Sequence, residues 1–187
     1  MSDARASAIF PVVTRRLLLR PFVRADAPAK FRLDCDPDIQ RYLGGPTTPE
    51  RSARALDYEI AQFELHGFGL VALVVVATDQ IVGYGALQQE PSTEGLEVIV
   101  AVATEARGRG YGLEAAGALI DAACGPLRQD KVFGRVNPSN TASARLVARL
   151  GMQRVGDRTD PLHGRVEHVY APVLRGPAKG QITTRCS

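Results

Sequence analysis

Apolar and polar positions fall into alternating blocks along this chain, and Gly, Pro, Asp and Asn punctuate them at regular intervals. Leu17-Leu18-Leu19-Arg20-Pro21-Phe22 reads as a first strand. Asp26 opens a helical stretch to about Cys35; Asp36-Pro37-Asp38 breaks it and caps a second short helix through Tyr42. Beyond the loop Gly44-Gly45-Pro46, Thr48-Pro49-Glu50 starts a long amphipathic helix to about Leu65, with Pro at the first helical position. Phe68 to Thr78 and Ile81 to Gln88 are two apolar runs joined as a hairpin at Asp79-Gln80. Val98 to Val102 is the third strand of this antiparallel series, and Gly110 to Ala123 follows as a helix. Lys131 to Asn137 then returns parallel to that third strand, through a right-handed crossover. The cap cluster Pro138-Ser139-Asn140-Thr141 opens a helix through Leu150 that ends at Gly151, the C′ position. Strands at about Gln153 to Asp157 and Arg165 to Val173 close the chain. The pattern predicts one mixed α/β domain on a predominantly antiparallel sheet with a single parallel pair. Residues 1–13 and 175–187 read as flexible ends.

Composition narrows the function classes. A chain of 187 residues can bury a real core. Its net charge of +3 is small, and Lys occurs only at Lys30, Lys131 and Lys179. A nucleic-acid binder would concentrate basic charge in one stripe, so none is expected as a partner. Cys35, Cys124 and Cys186 have no CxxC spacing and no evident pairing, which fits a reducing compartment. The N-terminus lacks the charged start and apolar stretch of a signal peptide. The longest apolar run, Phe68 to Ala77, falls short of the roughly 18–20 residues needed to span a bilayer. A cytoplasmic protein that neither enters nor binds a membrane is the expectation. His66, His163 and His168 have no ligand spacing and there is no H-E-x-x-H, so no metal is expected. No G-x-S-x-G elbow is present either.

The candidate chemistry lies where the third strand meets its helix. Val98 to Val102 ends in Ala103-Thr104-Glu105-Ala106-Arg107-Gly108-Arg109-Gly110-Tyr111-Gly112, after which Leu113, Ala116, Ile120 and Ala123 recur at helical spacing. A helix N-terminus offers unpaired N–H groups and the positive end of the macrodipole, together an anion site. Alternating glycines let a phosphate approach the backbone, and Arg107 and Arg109 add positive charge. A nucleotide cofactor's pyrophosphate fits there. The glycines at 108, 110 and 112, late in the chain, do not make a dinucleotide-fold G-x-G-x-x-G, and no Gly-Lys-Ser/Thr exists for a P-loop.

Arg107-x-x-Gly110-x-Gly112 resembles the [QR]-x-x-G-x-[GA] cofactor loop of the GNAT N-acetyltransferases. Asn137-Pro138-Ser139-Asn140-Thr141-Ala142-Ser143, with the closing Leu150-Gly151-Met152, is similar to the strand–helix segment that follows it in that family. Thr14 to Phe22 and Arg41 to Gly45 resemble the branch holding the ribosomal-protein N-terminal acetyltransferases, the Rim group. The resemblance runs from about Thr14 to Leu174. It implies a GNAT-type fold, with a sheet of six to seven strands splayed at one parallel pair and flanked by about four helices. It implies acetyl-CoA as cosubstrate, with the backbone of Val100 and Val102 pairing with pantetheine. Arg107, Gly108, Arg109, Gly110, Tyr111 and Gly112 would cradle the pyrophosphate, and Asn140, also readable as a plain N-cap, would meet the pantetheine arm.

The implied reaction is acetyl transfer to a primary amine, either a protein N-terminus or a small molecule, directly within a ternary complex. The amine must lose a proton, and the tetrahedral oxyanion needs a fixed N–H donor, here a backbone N–H near Val100 by resemblance. Glu97, one residue before the apolar run, is the candidate base through water, against the alternative of a strand-end charge facing solvent; Glu167 is the second choice. Many relatives carry Tyr seven residues after the helix Asn, where this chain has Val147. Ser143 is the substitute acid, with His168 and Tyr170 on one face of the last strand as alternatives. A CoA-binding sensor without turnover is the competing reading. Many relatives dimerise, and the resemblance admits a homodimer here.

Overall fold

The computed structural model describes residues 9–42, 47–89, 95–159 and 164–172. The loop at residues 44–46, His163 and the last strand's neighbours at 160–162 and 173–187 lie outside them.

Two compact units contain these residues. One comprises the chain up to Ala86 together with Val100–Ala118; the other holds Leu87–Ile99 and the chain from Leu119 onward. In the first unit, β1 (Val12–Val13) and β2 (Leu17–Pro21) are antiparallel, and β2 pairs in turn with β3 (Leu70–Val75). β3 turns into β4 (Gln80–Gln89) through a loop in which Asp79 takes a positive φ, as short polar turn residues tolerate. β5 (Leu96–Val102) lies next to β4 in the sheet order. Gly83 of β4 is pressed against the carbonyl of Ala101, leaving no room for a Cβ there. In β2 the residues Leu17 and Leu19 are buried and Leu18 is half-exposed, the period of two expected of a strand.

Three helices complete this unit's core. α1 (Ala27–Asp34) follows a 3-10 turn at Arg24–Asp26; α2 (Pro37–Gln40) is capped by Asp36, whose carboxylate accepts from the N–H groups of Asp38 and Ile39. α3 (Pro49–His66) starts at the Thr48 cap and stops at Gly67, in the left-handed conformation that glycine adopts without strain. Phe22, Leu33, Ile39, Leu56, Ala72, Val74 and Tyr84 form the buried cluster between helices and strands. A polar knot sits beside it. Lys30 Nζ meets both Asp34 oxygens at 2.5 and 2.7 Å, and Ser52 Oγ donates to Asp34 at 2.6 Å, tying α1 to α3. Burial among these groups raises the Tyr84 phenol above its ordinary range.

The second unit has strand order β5-β6-β8-β7, with β6 (Val132–Val136), β7 (Met152–Thr159) and β8 (Val166–Pro172). Parallel register joins Leu96 to Val132 and Glu97 to Phe133; β8 runs antiparallel to both β6 and β7. α4 (Tyr111–Cys124) precedes β6, and α5 (Thr141–Arg149) packs Val147 against Val136 and Met152. Asn140 caps α5, and Gly151 ends it with φ of 71°.

The mixed α/β class and the lone parallel pair are as expected, with eight strands among the described residues where six to seven were anticipated, and five α-helices. The extra strand, β1, lies before Thr14 in the stretch read as a flexible end. Phe10 there is buried and meets the Phe63 ring edge-on at 5.7 Å. Cys35 is a free thiol, and Cys186 lies outside the described residues.

Candidate functional site

The loop from Arg107 to Gly112 is shaped by alternating backbone signs. Gly108 and Gly110 have φ of 75° and 81°, values that cost an L-residue with a Cβ about 1–2 kcal/mol. A chain that reverses in this way presents successive N–H groups as an anion-binding concavity, here at the start of the 14-residue α4. Gly112 differs. A Cβ on it would rest 3.6 Å from Val102 Cγ2, an ordinary contact, so sterics alone do not demand glycine there.

Neighbouring side chains hold this loop from behind. Arg107 Nε donates to the carbonyl of Val102 at 3.1 Å, and its Nη1 meets Asp38 Oδ2 at 2.8 Å. Its guanidinium is thus a brace across the turn, and its charge is offset by Asp38. The Val102 carbonyl, expected to await a pantetheine amide, already accepts one hydrogen bond. Asp36 accepts from both the N–H and the hydroxyl of Thr104, at 2.9 and 3.0 Å. Burial alone would raise the Asp36 carboxyl, but the hydrogen bonds from Thr104, Ile39 and Asp38 prevail and hold it below its ordinary value. Arg16 Nη1 donates to the carbonyl of Arg109 at 2.7 Å, its Nε meets Glu114 Oε2 at 2.7 Å, and its guanidinium carbon lies 5.0 Å from the centre of the Tyr111 ring. Arg109 itself is exposed, and Val100 and Val102 are half-buried.

In the second unit, Glu97 lies inside β5 rather than before it and is only 5 % exposed, which removes the reading of a solvent-facing strand-end charge. Arg135 grips it in bidentate fashion, Nε to Oε1 at 2.9 Å and Nη2 to Oε2 at 2.6 Å. Glu167, the second candidate base, approaches the same guanidinium at 3.5 Å. The fold therefore gathers both candidate carboxylates on one arginine. Asn140 Oδ1 accepts from the Ser143 N–H at 3.0 Å, so the amide oxygen is committed to the cap, and Ser143 sits half-buried in the first turn of α5. His168 Nδ1 lies 3.0 Å from Asp157 Oδ1, which Arg154 also holds. Those hydrogen bonds, from Arg154 first and His168 after it, keep the Asp157 carboxyl below its ordinary value despite desolvation. Val147, where relatives carry tyrosine, is buried core at 6 % exposure.

Arg16, Asp38, Glu114 and Arg135 escaped the sequence reading. Arg135 had a signal: a charge in the apolar run Val132-Phe133-Gly134-Arg135-Val136 needs a buried partner, as does Glu97 beside Leu96 and Val98. Among the described residues, no group of three or more His, Cys, Asp or Glu is placed to hold a metal ion, and no helix is long and apolar enough to cross a membrane.

Residues 16–153 match the acetyltransferase (GNAT) domain family. An uncharacterised N-acetyltransferase, p20, from Bacillus licheniformis is 28% identical over 164 residues, covering 84% of this chain and 91% of that protein. The crystal structure of an acetyltransferase from Agrobacterium tumefaciens superposes with a TM-score of 0.71 at 28% identity, over 85% of this chain and 91% of the other. RimL, a ribosomal-protein α-N-acetyltransferase solved with coenzyme A, has a TM-score of 0.74 at 16% identity, over 86% and 95%, a likeness of fold. With its glycine turn, its cap asparagine and most of its length accounted for by one domain family, the chain belongs to the GNAT acetyltransferases.

Proposed function

We propose that this protein transfers an acetyl group from acetyl-CoA to a primary amine, directly and within a ternary complex. The observation that carries this reading is the loop at the start of α4, with Gly108 and Gly110 in left-handed conformation between Arg107 and Tyr111. The amides of Arg107 through Gly112 hold the pyrophosphate, the Arg109 side chain adds charge from solvent, and the backbone of Val100 and Val102 meets the pantetheine amides. Asn140, its oxygen engaged in the cap, offers its amide N–H groups to the pantetheine. The likeness to RimL, named for acetylating a ribosomal protein's α-amine, supports a protein N-terminus as acceptor, with a small-molecule amine as the other class.

The base is Glu97, working through water. Glu97 and Glu167 both lie against the Arg135 guanidinium, and carboxylates gathered in this way favour the approach of a protonated amine. Ser143, in the first turn of α5, supplies a proton to the departing thiolate through water. A backbone N–H near Val100 faces the oxyanion. The protein works in the cytoplasm, where acetyl-CoA and amine acceptors coexist, and a homodimer is compatible with this scheme.

Calorimetric titration with acetyl-CoA tests the cofactor half: micromolar binding is expected, and its absence removes the proposal. A free-thiol assay over peptides and small amines tests the other half. CoA release that depends on one acceptor class identifies the substrate; release from none refutes amine transfer.

A further inference from the structure

We propose that Arg16, in the turn between β1 and β2, is a positioning residue that aims the Gly110 amide at the cofactor's diphosphate; this rests on the assignment of the Arg107–Gly112 loop as the pyrophosphate cradle. In a trans peptide the C=O and the following N–H point in opposite directions within one rigid plane. The carbonyl of Arg109 and the N–H of Gly110 share such a plane. Arg16 Nη1 takes that carbonyl at 2.7 Å, so it fixes where the Gly110 N–H points: away from Arg16, on the other side of the loop. This peptide joins Arg109 to Gly110, and Gly110, with φ of 81°, leaves it little torsional preference on that side. An external clamp is what such a unit needs to hold one orientation.

The clamp is itself fixed from three sides. Arg16 Nε meets Glu114 Oε2 at 2.7 Å, and the Arg16 backbone N–H donates to Glu114 Oε1 at 2.7 Å. Thr14 Oγ1 donates to the same Oε1 at 2.6 Å, and the Tyr111 ring lies under the guanidinium. Glu114 belongs to the first turn of α4, and its own N–H returns to the Gly110 carbonyl at 3.2 Å. Arg16 and Glu114 also neutralise one another. The pair therefore adds orientation at the loop without adding net charge, in contrast to the exposed Arg109.

The test compares two donors, acetyl-CoA and S-acetylpantetheine, which lacks the diphosphate and nucleotide. Arg16→Met is expected to weaken acetyl-CoA binding about tenfold or more, the loss of one well-aimed hydrogen bond to an anion. Binding of S-acetylpantetheine, titrated into the millimolar range, should stay within about twofold. Because removing Arg16 strands the Glu114 carboxylate, Arg16→Met/Glu114→Gln is measured alongside, and the variant that matches the wild-type circular dichroism decides. An unchanged acetyl-CoA affinity overturns the proposal, and so does an equal loss for both donors, which marks a general structural role. If instead the wild-type protein fails to bind acetyl-CoA, the cradle assignment itself falls.

Discussion

Replacing Arg135 by Met would strand a carboxylate inside the second unit. The Glu97 side chain is 6% exposed and the Arg135 side chain 19%, and the two are joined by a bidentate pair at 2.9 and 2.6 Å. Met fills much of the same space but offers no donor, so Glu97 keeps its desolvation cost and loses its compensation. Breaking a buried pair by deleting one partner costs about 3–5 kcal/mol. For a chain of this size that corresponds to roughly 6–20 °C in melting temperature. The approach of Glu167 to the same guanidinium at 3.5 Å places a second negative charge nearby, which pushes the cost toward the upper end. Urea unfolding of wild type, Arg135→Met and Arg135→Met/Glu97→Leu at pH 7 measures it. The double variant should recover most of the loss, because both charges are gone. A loss below about 1 kcal/mol for Arg135→Met would refute the buried pair, since that is the scale of an exposed one. Glu97→Gln separates structure from chemistry. It keeps the shape and an acceptor for Arg135, so a folded variant with wild-type turnover removes Glu97 as the base.

Other perturbations probe the loop, the cap and the charges. Gly110→Ala forces a Cβ onto a backbone with φ of 81°, 3.2 Å from Arg16 Nη2; the torsional cost is about 1–2 kcal/mol, read as a lower melting temperature together with a higher KM for acetyl-CoA. Asn140→Ala deletes the cap bond to Ser143 N–H and should cost about 1 kcal/mol in chemical denaturation; no loss would deny it the cap role. Glu59 on α3 has its carboxyl raised by burial, with Asp34 adding to the rise and Lys30 opposing it. Such a group contributes stability below its ordinary value of 4.5 that disappears as pH rises through its folded value. Glu59→Gln should therefore be more stable than wild type at pH 7 and lose that advantage below about pH 4. Asp26 and Glu114 work in the opposite sense: burial pushes them up, but hydrogen bonds from Arg20 and Val23, and from Thr14 and Arg16, hold them below their ordinary values. Their contribution is present at neutral pH and lost as pH falls through the depressed values, so melting temperature should drop in that acid range, and less so in Glu114→Gln.

What the linear chain determined is whatever depends on near neighbours. Thr48-Pro49, Asp36-Pro37-Asp38, Asn140 and Gly151 act through their own backbone and the next three or four residues, so helix ends were readable from residue type and order. The strands β2 to β6 followed from apolar runs bounded by turn residues, and the glycine spacing located the loop before α4. β1 is two residues long and takes its strand character from pairing with Leu18 and Leu19, so no local pattern announced it. Tertiary structure alone decided where long side chains end. Arg16 reaches Glu114 and Arg109 across more than ninety positions of sequence, Arg107 turns back to Asp38, and Arg135 takes Glu97. A guanidinium has several rotatable bonds and five donors, and it settles on whichever acceptor the fold brings within reach. Charge and motif could mark Arg107 as part of a phosphate loop; only the folded chain shows that its side chain braces the turn while Arg16 holds the carbonyl of Arg109.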